Sequence, residues 1–476
     1  MLIVSSSNNS YFGKAILFIV LSVGFFLLCK QLLPNRLFPE NKITTENIVV
    51  DSLMLNAIND TTAIDDSPHI AKADSTNTTD SLNIQPEEID EAINPSLNAD
   101  GYQNLKRFYE KLHQLEANKS GKVRVAYFGD SMNDGDYIVQ DVRSEFQKNY
   151  GGHGVGFVSI SSLSAASRGS ISHQVSKEWI AQSFIKVKKP TRPFGIDGQV
   201  FFTRGSGSNY WVKYKAQAQP YATALYNPIL LYGSSNNANA SITIRADKDS
   251  VSTKRLTPSH LLNTLPLTSS SVKSLQVTFA HADSIPIYGF SFDDGQGVHV
   301  DNFSMRGNSG LPLSILNPSL MNAFDKVLGY DLIVLQYGTN VLGYGTLNYS
   351  WYEKNMTTVV NNLHQCFPNA DILIISTADK ASKIEQEMKT DPAVVPLAKA
   401  QRNYARRTGS GYINLYELMG GNGSMVKWVD EYHLANKDYT HFNASGSKKI
   451  AKLLYDEINK GYLKYKQHKT ETEIKK

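Results

Sequence analysis

The stretch Val123–Tyr137, reading VRVAYFGDSMNDGDY, constrains the fold of this chain more than any other. Val123, Val125, Tyr127 and Phe128 form a short β-forming run that ends in Gly129-Asp130-Ser131, and Ile138, Val142 and Phe146 follow at i, i+4 and i+8. This pattern predicts a buried strand, a sharp turn and a helix. In an open α/β sheet, ligands bind where the carboxyl end of a strand meets the next helix. A serine there lies beside free backbone N–H groups and is set to attack a carbonyl. The same residues also suit a plainer task, because Asp and Ser commonly turn a chain and cap a helix.

Strand and helix patterns alternate again in the second half. Helix is expected near residues 320–328, 351–367, 394–407 and 446–458, and strand at 332–335, 371–376 and 411–415. Alternation of this kind predicts a mostly parallel sheet covered by helices on both faces. Between the two halves the texture changes. Segments near 198–203, 210–214, 240–246, 275–280 and 285–292 are short, β-branched or aromatic, and separated by Gly, Asn, Ser and Pro. They predict a β-sandwich or jelly-roll-like module inserted into the α/β domain, with Tyr210, Trp211, Tyr214 and Tyr226 mostly as core or strand residues. The glycine-rich GGHGVGF at 151–157 follows a helix rather than a strand and carries no nucleotide-loop pattern, so it reads as a tight connection.

The N-terminal region has a different character. Residues 15–29, AILFIVLSVGFFLLC, carry no charge and are bracketed by Lys14 and Lys30, and no small-x-small cleavage pattern follows. An uncleaved signal-anchor is expected at 1–33, although lysines on both sides leave its orientation unspecified. A polar linker rich in Asp, Asn, Ser and Thr follows over 34–100, too poor in apolar residues to fold alone. The expected domain pattern is then 101–165 for the first part of the α/β domain, 166–300 for the inserted module, 301–465 for its second part and 466–476 for a polar tail. A formal net charge of +4 over 476 residues argues against a nucleic-acid partner. Cys29 and Cys366, the two cysteines, support neither an intradomain disulfide nor a cysteine metal site.

Two more strand ends carry chemistry. After the strand at 332–335 comes Gln336-Tyr337-Gly338-Thr339-Asn340, where the Asn340 amide would project over the same sheet edge as Ser131 and donate to a developing oxyanion. Before the last helix, Asp438-Tyr439-Thr440-His441 would bring an imidazole and its orienting carboxylate toward Ser131. Asp430 and His433 repeat that spacing eight residues earlier, and spacing alone does not choose between the pairs. Asp134, Asp136 and His153 offer two readings, as residues lining the pocket or as solvated loop residues, and the second is the expectation.

Taken together, Gly129-Asp130-Ser131, Gly338-Thr339-Asn340 and Asp438-Tyr439-Thr440-His441 resemble, in order and spacing, the motifs of the SGNH (GDSL-type) hydrolases. The resemblance covers roughly 123–157 and 300–458. It implies a three-layer α/β/α fold and a serine esterase with Ser131 as nucleophile, His441 as base and Asp438 as its partner. The choice of Asp438 and His441 over the earlier pair follows from their position directly before Asn443 and the last helix. It further implies an oxyanion hole from the N–H groups of Ser131 and a glycine of Arg306-Gly307-Asn308-Ser309-Gly310, with Gly310 the better match and Gly307 the fallback, together with the Asn340 amide. No metal or organic cofactor is implied.

Within that superfamily the chain is most similar to bacterial peptidoglycan O-acetylesterases, in which a β-rich module also separates the first two motif blocks. The expected substrate is an acetylated cell-envelope glycan, peptidoglycan first, and the expected location is the bacterial envelope, anchored through the N-terminal segment and facing the periplasm or exterior. The same residues would also serve an envelope polysaccharide O-acetyltransferase, and a non-catalytic glycan-binding envelope protein is the reading from outside enzymology.

Overall fold

Lys122–Gly129 is a strand buried along nearly its whole length, and the structure is built outward from it. The structure, a computed structural model, describes residues 99–205, 210–247, 250–344 and 347–474, with isolated positions 17, 21, 22, 53, 54 and 57 before them. The expected membrane segment and nearly all of the linker therefore lie outside the described residues. Among the described residues no helix is long and apolar enough to cross a membrane.

The central sheet contains β1 (Ala99–Asp100), β2 (Lys122–Gly129), β3 (Gly297–Asn302), β4 (Leu332–Gln336), β5 (Asp371–Ile375) and β6 (Gly411–Ile413), in the order β1-β6-β5-β4-β2-β3. All neighbours are parallel except β1, which runs antiparallel to β6. Eight helices accompany it in the described residues: α1 (Lys106–Asn118), α2 (Val139–Tyr150), α3 (Pro318–Leu328), α4 (Ser350–Cys366), α5 (Val394–Arg407), α6 (Leu415–Met419), α7 (Ser424–Asp430) and α8 (Ala444–Ile474). Val123, Val125, Tyr127, Val300, Leu332 and Val334 pack on one face against α1, α2 and α8. The alternate residues Ala126, Phe128, Ile333, Leu335, Ile372 and Ile374 are equally buried, on the side where α5 lies over β5 and β6 and packs against α4. Burial on both faces is why these strands read as unbroken apolar runs.

The strand order places a reversal at β2. Its successor β3 lies on one side and the next strand, β4, on the other, and this topological switch point opens a crevice at the carboxyl ends of β2 and β4. Ser131 follows the first of these strands and Asn340 the second.

Between α2 and β3 the chain forms two antiparallel sheets. One has the order Ser250–Arg255, Ser241–Ala246, Ser274–Ala280, Tyr210–Ala216, Ile171–Val175; the other has Leu262–Pro266, Ile229–Gly233, Ile287–Phe292, Gln199–Phe202, Ile180–Ser183, with Gly156–Ser159 also paired to Ile287–Phe292. Val212, Tyr214, Leu230, Ile242, Val277 and Phe290 belong to a core that both share. Tyr210 and Tyr214 are buried there, while Trp211 and Tyr226 are half-buried. Ile287–Phe292 is buried on both sides, because its outer face meets the α/β part, with the Tyr288 ring 5.4 Å from Phe324 of α3.

The pairing differs from the expected boundaries at both ends. Gly156–Ser159 already belongs to an antiparallel sheet, whereas Gly297–Asn302 is an outer strand of the central one. The glycines of 151–157 permit this close crossing. A Cβ on Gly154, at φ +111°, would stand 2.1 Å from Phe292 O, and one on Gly156 would stand 1.9 Å from Asp301 Oδ1.

Two further expectations need correction. The linker does not extend to residue 100, because Asp100 in β1 is held by Arg402 at 3.2 Å and Arg406 at 2.9 Å. Nor does the last helix stop near 458 and leave 466–476 as a separate polar tail. It continues to Ile474, because Lys466 pairs with Glu116 at 2.9 Å and Lys469 with Glu110 at 3.0 Å, both on α1.

Where the central and antiparallel sheets meet, Asp197 is buried. Burial pushes its carboxyl up to about 7, although Ser159 and Gln199 hydrogen-bond to it. The folded state therefore favours the protonated acid, a contribution present below the ordinary carboxylate range and lost as pH rises through about 7. Asp197→Asn should accordingly gain thermal stability relative to the wild type between pH 5 and pH 8. Melting curves showing an unchanged difference across that range would refute the assignment.

Candidate active site

The turn after β2 is built around Asp130. Its side-chain Oδ1 accepts the Met132 N–H at 2.9 Å, and its carbonyl accepts the N–H groups of Asn133 and Asp134, both at 3.2 Å. The three N–H groups that follow Ser131 are thereby gathered inward, while among the described residues the Ser131 N–H donates to none. Asp130 is buried, and burial pushes its carboxyl up to about 6 despite the Met132 N–H, the His441 ring and Thr339. The contact with Thr339 ties the loop after β2 to the loop after β4.

The imidazole arrives from the loop before α8. Ser131 Oγ lies 3.0 Å from His441 Nε2, and His441 Nδ1 lies 2.8 Å from Asp438 Oδ2. A carboxylate at Nδ1 fixes the proton there and leaves Nε2 as the acceptor facing the hydroxyl. Asp438 Oδ1 accepts the N–H groups of Thr440 and His441, each at 3.0 Å. Burial opposes ionisation of Asp438, but these bonds hold its carboxyl below the usual range.

Asp430 and His433, the rival pair, have other partners. Asp430 accepts the Tyr439 hydroxyl at 2.9 Å and so braces the 438–441 loop, while His433 Nδ1 faces Val429 O at 3.2 Å.

The expected oxyanion donors are distributed differently from the sequence reading. The Gly310 N–H is bound to Asn308 Oδ1 at 2.9 Å, so it is not presented to the serine. Gly310 has a steric reason to be glycine, because at φ +93° an added Cβ would stand 2.9 Å from the Tyr337 ring. Gly307, at φ +76°, directly follows Arg306, which lines the Ser131 cleft, and its N–H donates to no described group. Asn340 Nδ2 donates to Asn308 O at 3.1 Å, which orients the amide and leaves its second N–H.

Asp134 and Asp136 are buried, not solvated. Asp136 takes a bidentate pair from Arg143 at 2.9 and 3.0 Å and a bond from Asn302. Burial opposes its charge, yet Arg143 and Arg168 hold its carboxyl at about 2. Asp134 accepts Arg306 Nε at 2.6 Å and the Ser164 hydroxyl. Arg306 and Arg168 stand 172 and 32 residues from these aspartates, beyond the reach of local spacing, whereas Arg143 lies only seven residues from Asp136. His153 is exposed as expected, paired with Asp294 at 2.8 Å. Among the described residues no cluster of three His, Cys, Asp or Glu side chains could hold a metal ion.

Ser131, Asp438 and His441 thus line one open cleft of about 420 Å³, within the usual range for ligand sites. Residues 283–449 match the family model of the GDSL-like lipase/acylhydrolases. The chain carries a GDSL-like acylhydrolase domain of the SGNH type. That places it among ester-hydrolysing enzymes. The matched stretch holds Gly307, Asn340, Asp438 and His441, while Ser131 precedes it on the far side of the antiparallel sheets.

Among solved structures, a peptidoglycan O-acetylesterase is 20% identical and superposes with a TM-score of 0.62 over 75% of this chain and 96% of its own, which establishes the shared fold. A family two carbohydrate esterase from Cellvibrio japonicus, 11% identical, covers 62% of this chain and 98% of its own at a TM-score of 0.25. An acetyl xylan esterase, 18% identical, covers 33% and 80% at 0.26. No curated protein sequence matches the chain.

Proposed function

We propose that this GDSL-like protein is a serine esterase that removes O-acetyl groups from a cell-envelope glycan, peptidoglycan first, through an acetyl-serine intermediate. The observation that carries the proposal is the hydrogen-bonded line Ser131–His441–Asp438 at the mouth of a cleft. Likeness to a peptidoglycan O-acetylesterase over 75% of this chain and 96% of that one supports the choice of glycan.

In this mechanism His441 Nε2 takes the Ser131 proton as Oγ attacks the acetyl carbonyl, and Asp438 stabilises the imidazolium that forms. The Ser131 and Gly307 N–H groups and the free N–H of Asn340 receive the oxyanion. Collapse of the tetrahedral intermediate breaks the ester bond. The departing sugar oxygen takes the proton from His441. Water, deprotonated by the same nitrogen, then attacks acetyl-Ser131, and acetate leaves as the serine hydroxyl is restored. A membrane-anchored location facing the periplasm or exterior follows from this substrate and from the apolar segment at 15–29.

The test is acetate release from O-acetylated peptidoglycan, with base-treated, deacetylated glycan as blank. Release from the first alone supports the proposal, and none from either removes peptidoglycan as substrate. Asn340→Ala should lower kcat by about 10²–10³ with little change in KM, since an oxyanion donor acts on the transition state. A change confined to KM would place Asn340 in substrate binding instead.

A further inference from the structure

Arg306 occupies a position that the hydrolytic chemistry leaves unexplained. It lines the same cleft as Ser131, Tyr137, Asp438 and His441, and among the described residues lining that cleft it is the one cation. Its Nε is bound to Asp134 Oδ2 at 2.6 Å, and Asp134 itself is only 7% exposed whereas Arg306 is 57% exposed. Asp134 is fixed in turn by the Ser164 hydroxyl. A buried carboxylate that grips one edge of a guanidinium orients the planar fork while leaving its other donors available. Nη1 and Nη2 donate to no described group.

The other amide and carboxylate side chains lining the cleft have partners, and the Tyr137 and Ser447 hydroxyls carry no charge. Asn443 Nδ2 donates to His433 O at 2.7 Å, and Asp438 is engaged by His441 and Thr440. Arg306 therefore supplies the unspent charged, forked donors in the cleft of the nucleophile, and a planar anion matches them. Two carboxylates, Asp134 and Asp438, line the same cleft and disfavour a dianionic phosphate by like-charge repulsion. A singly charged carboxylate fits better.

We propose that Arg306, positioned by Asp134, is an anion-recognition residue that selects acetylated sugars bearing a carboxylate near the scissile ester. The inference rests on the esterase reading of the Ser131 cleft and names its substrate class. Within a peptidoglycan-type glycan, such a group is the lactyl carboxylate of a muramic sugar or a carboxylate of an attached peptide.

The test is calorimetric titration of the full chain with N-acetylmuramic acid and with N-acetylglucosamine, which differ by the lactyl carboxylate. Affinity for the acid should exceed that for the neutral sugar by about 10- to 100-fold, as expected for charge-assisted hydrogen bonds. Arg306→Gln should abolish the preference, and Arg306→Lys should keep a smaller one because it holds the charge without the fork. Muramoyl dipeptide, whose lactyl carboxylate is an amide, separates the two sources: weaker binding identifies the lactyl group, and equal, Arg306-dependent binding identifies a peptide carboxylate. Affinity for N-acetylmuramic acid and muramoyl dipeptide no greater than for N-acetylglucosamine, no binding of any of the three, or a preference that survives in Arg306→Gln overturns the proposal. Titration needs no turnover, so failure of the esterase reading is registered separately, as absence of acetate release.

Discussion

Ser131→Ala is expected to lower acetate release from O-acetylated peptidoglycan by about 10⁶-fold, the scale seen when a triad nucleophile is removed from other serine hydrolases. The size follows from geometry. With Oγ gone, the His441 Nε2 that lay 3.0 Å from it has no hydroxyl to deprotonate, and no covalent intermediate forms. Residual rate would come from the oxyanion donors acting on direct attack by water. Combining Ser131→Ala with His441→Ala should add little to either change alone, because the two residues act as one unit. The rival pair offers an internal control. Asp430 is hydrogen-bonded to the 438–441 loop at the Tyr439 hydroxyl and not at the imidazole, so Asp430→Asn should cost far less than Asp438→Asn. Acetate release measured on the purified variants decides the matter, and a Ser131→Ala protein within tenfold of wild type would exclude Ser131 as nucleophile.

Much of this arrangement was legible in the sequence, because its signals are local. The β-forming run before Gly129-Asp130-Ser131 and the helical spacing of Ile138, Val142 and Phe146 dictate a strand, turn and helix without help from the rest of the chain. Alternating burial made strands such as Ser274–Ala280 readable, since every second residue faces one core. Most of what escaped was set by partners remote in sequence. Asp134 and Asp136 look like turn residues until Arg306 and Arg168, 172 and 32 residues away, are brought to them, although Arg143 lies only seven residues from Asp136. The engagement of the Gly310 N–H is local but equally silent in the motif, because the Asn308 side chain two residues earlier takes it up. The extension of α8 depended on Glu110 and Glu116 of α1, more than three hundred residues earlier. Periodicity encodes faces, but the pairing of buried charges is a tertiary property.

That distinction bears most heavily on Arg124, whose removal or stranding is the largest stability effect expected. Its side chain is wholly buried, yet it sits on β2, among residues that read as a plain apolar strand. Nε and Nη2 bind Asp301 of β3 at 2.7 and 3.0 Å, Nη1 binds Asp293 at 2.8 Å, and Nη2 also reaches Ser291 at 3.0 Å. Asp301 further accepts the Phe157 N–H at 2.9 Å and the Tyr330 hydroxyl at 2.6 Å. One buried cluster thus ties the central sheet to the antiparallel sheets. Asp301→Ala leaves a buried guanidinium half-paired and two donors without an acceptor, and should cost about 3–5 kcal/mol. Replacing both partners, as in Arg124→Met with Asp301→Leu, removes the stranded charge but still abandons Asp293, Phe157 N–H and Tyr330, so it should not restore wild-type stability. Asp301→Asn keeps an acceptor and should fall between. Denaturant unfolding of the three variants tests this, and a loss under about 1 kcal/mol for Asp301→Ala would show that the cluster is not what holds the sheets together. Because β2 and β3 carry Ser131 and Gly307 at their carboxyl ends, Asp301→Asn should also lose kcat under conditions where it remains folded, as their relative register relaxes.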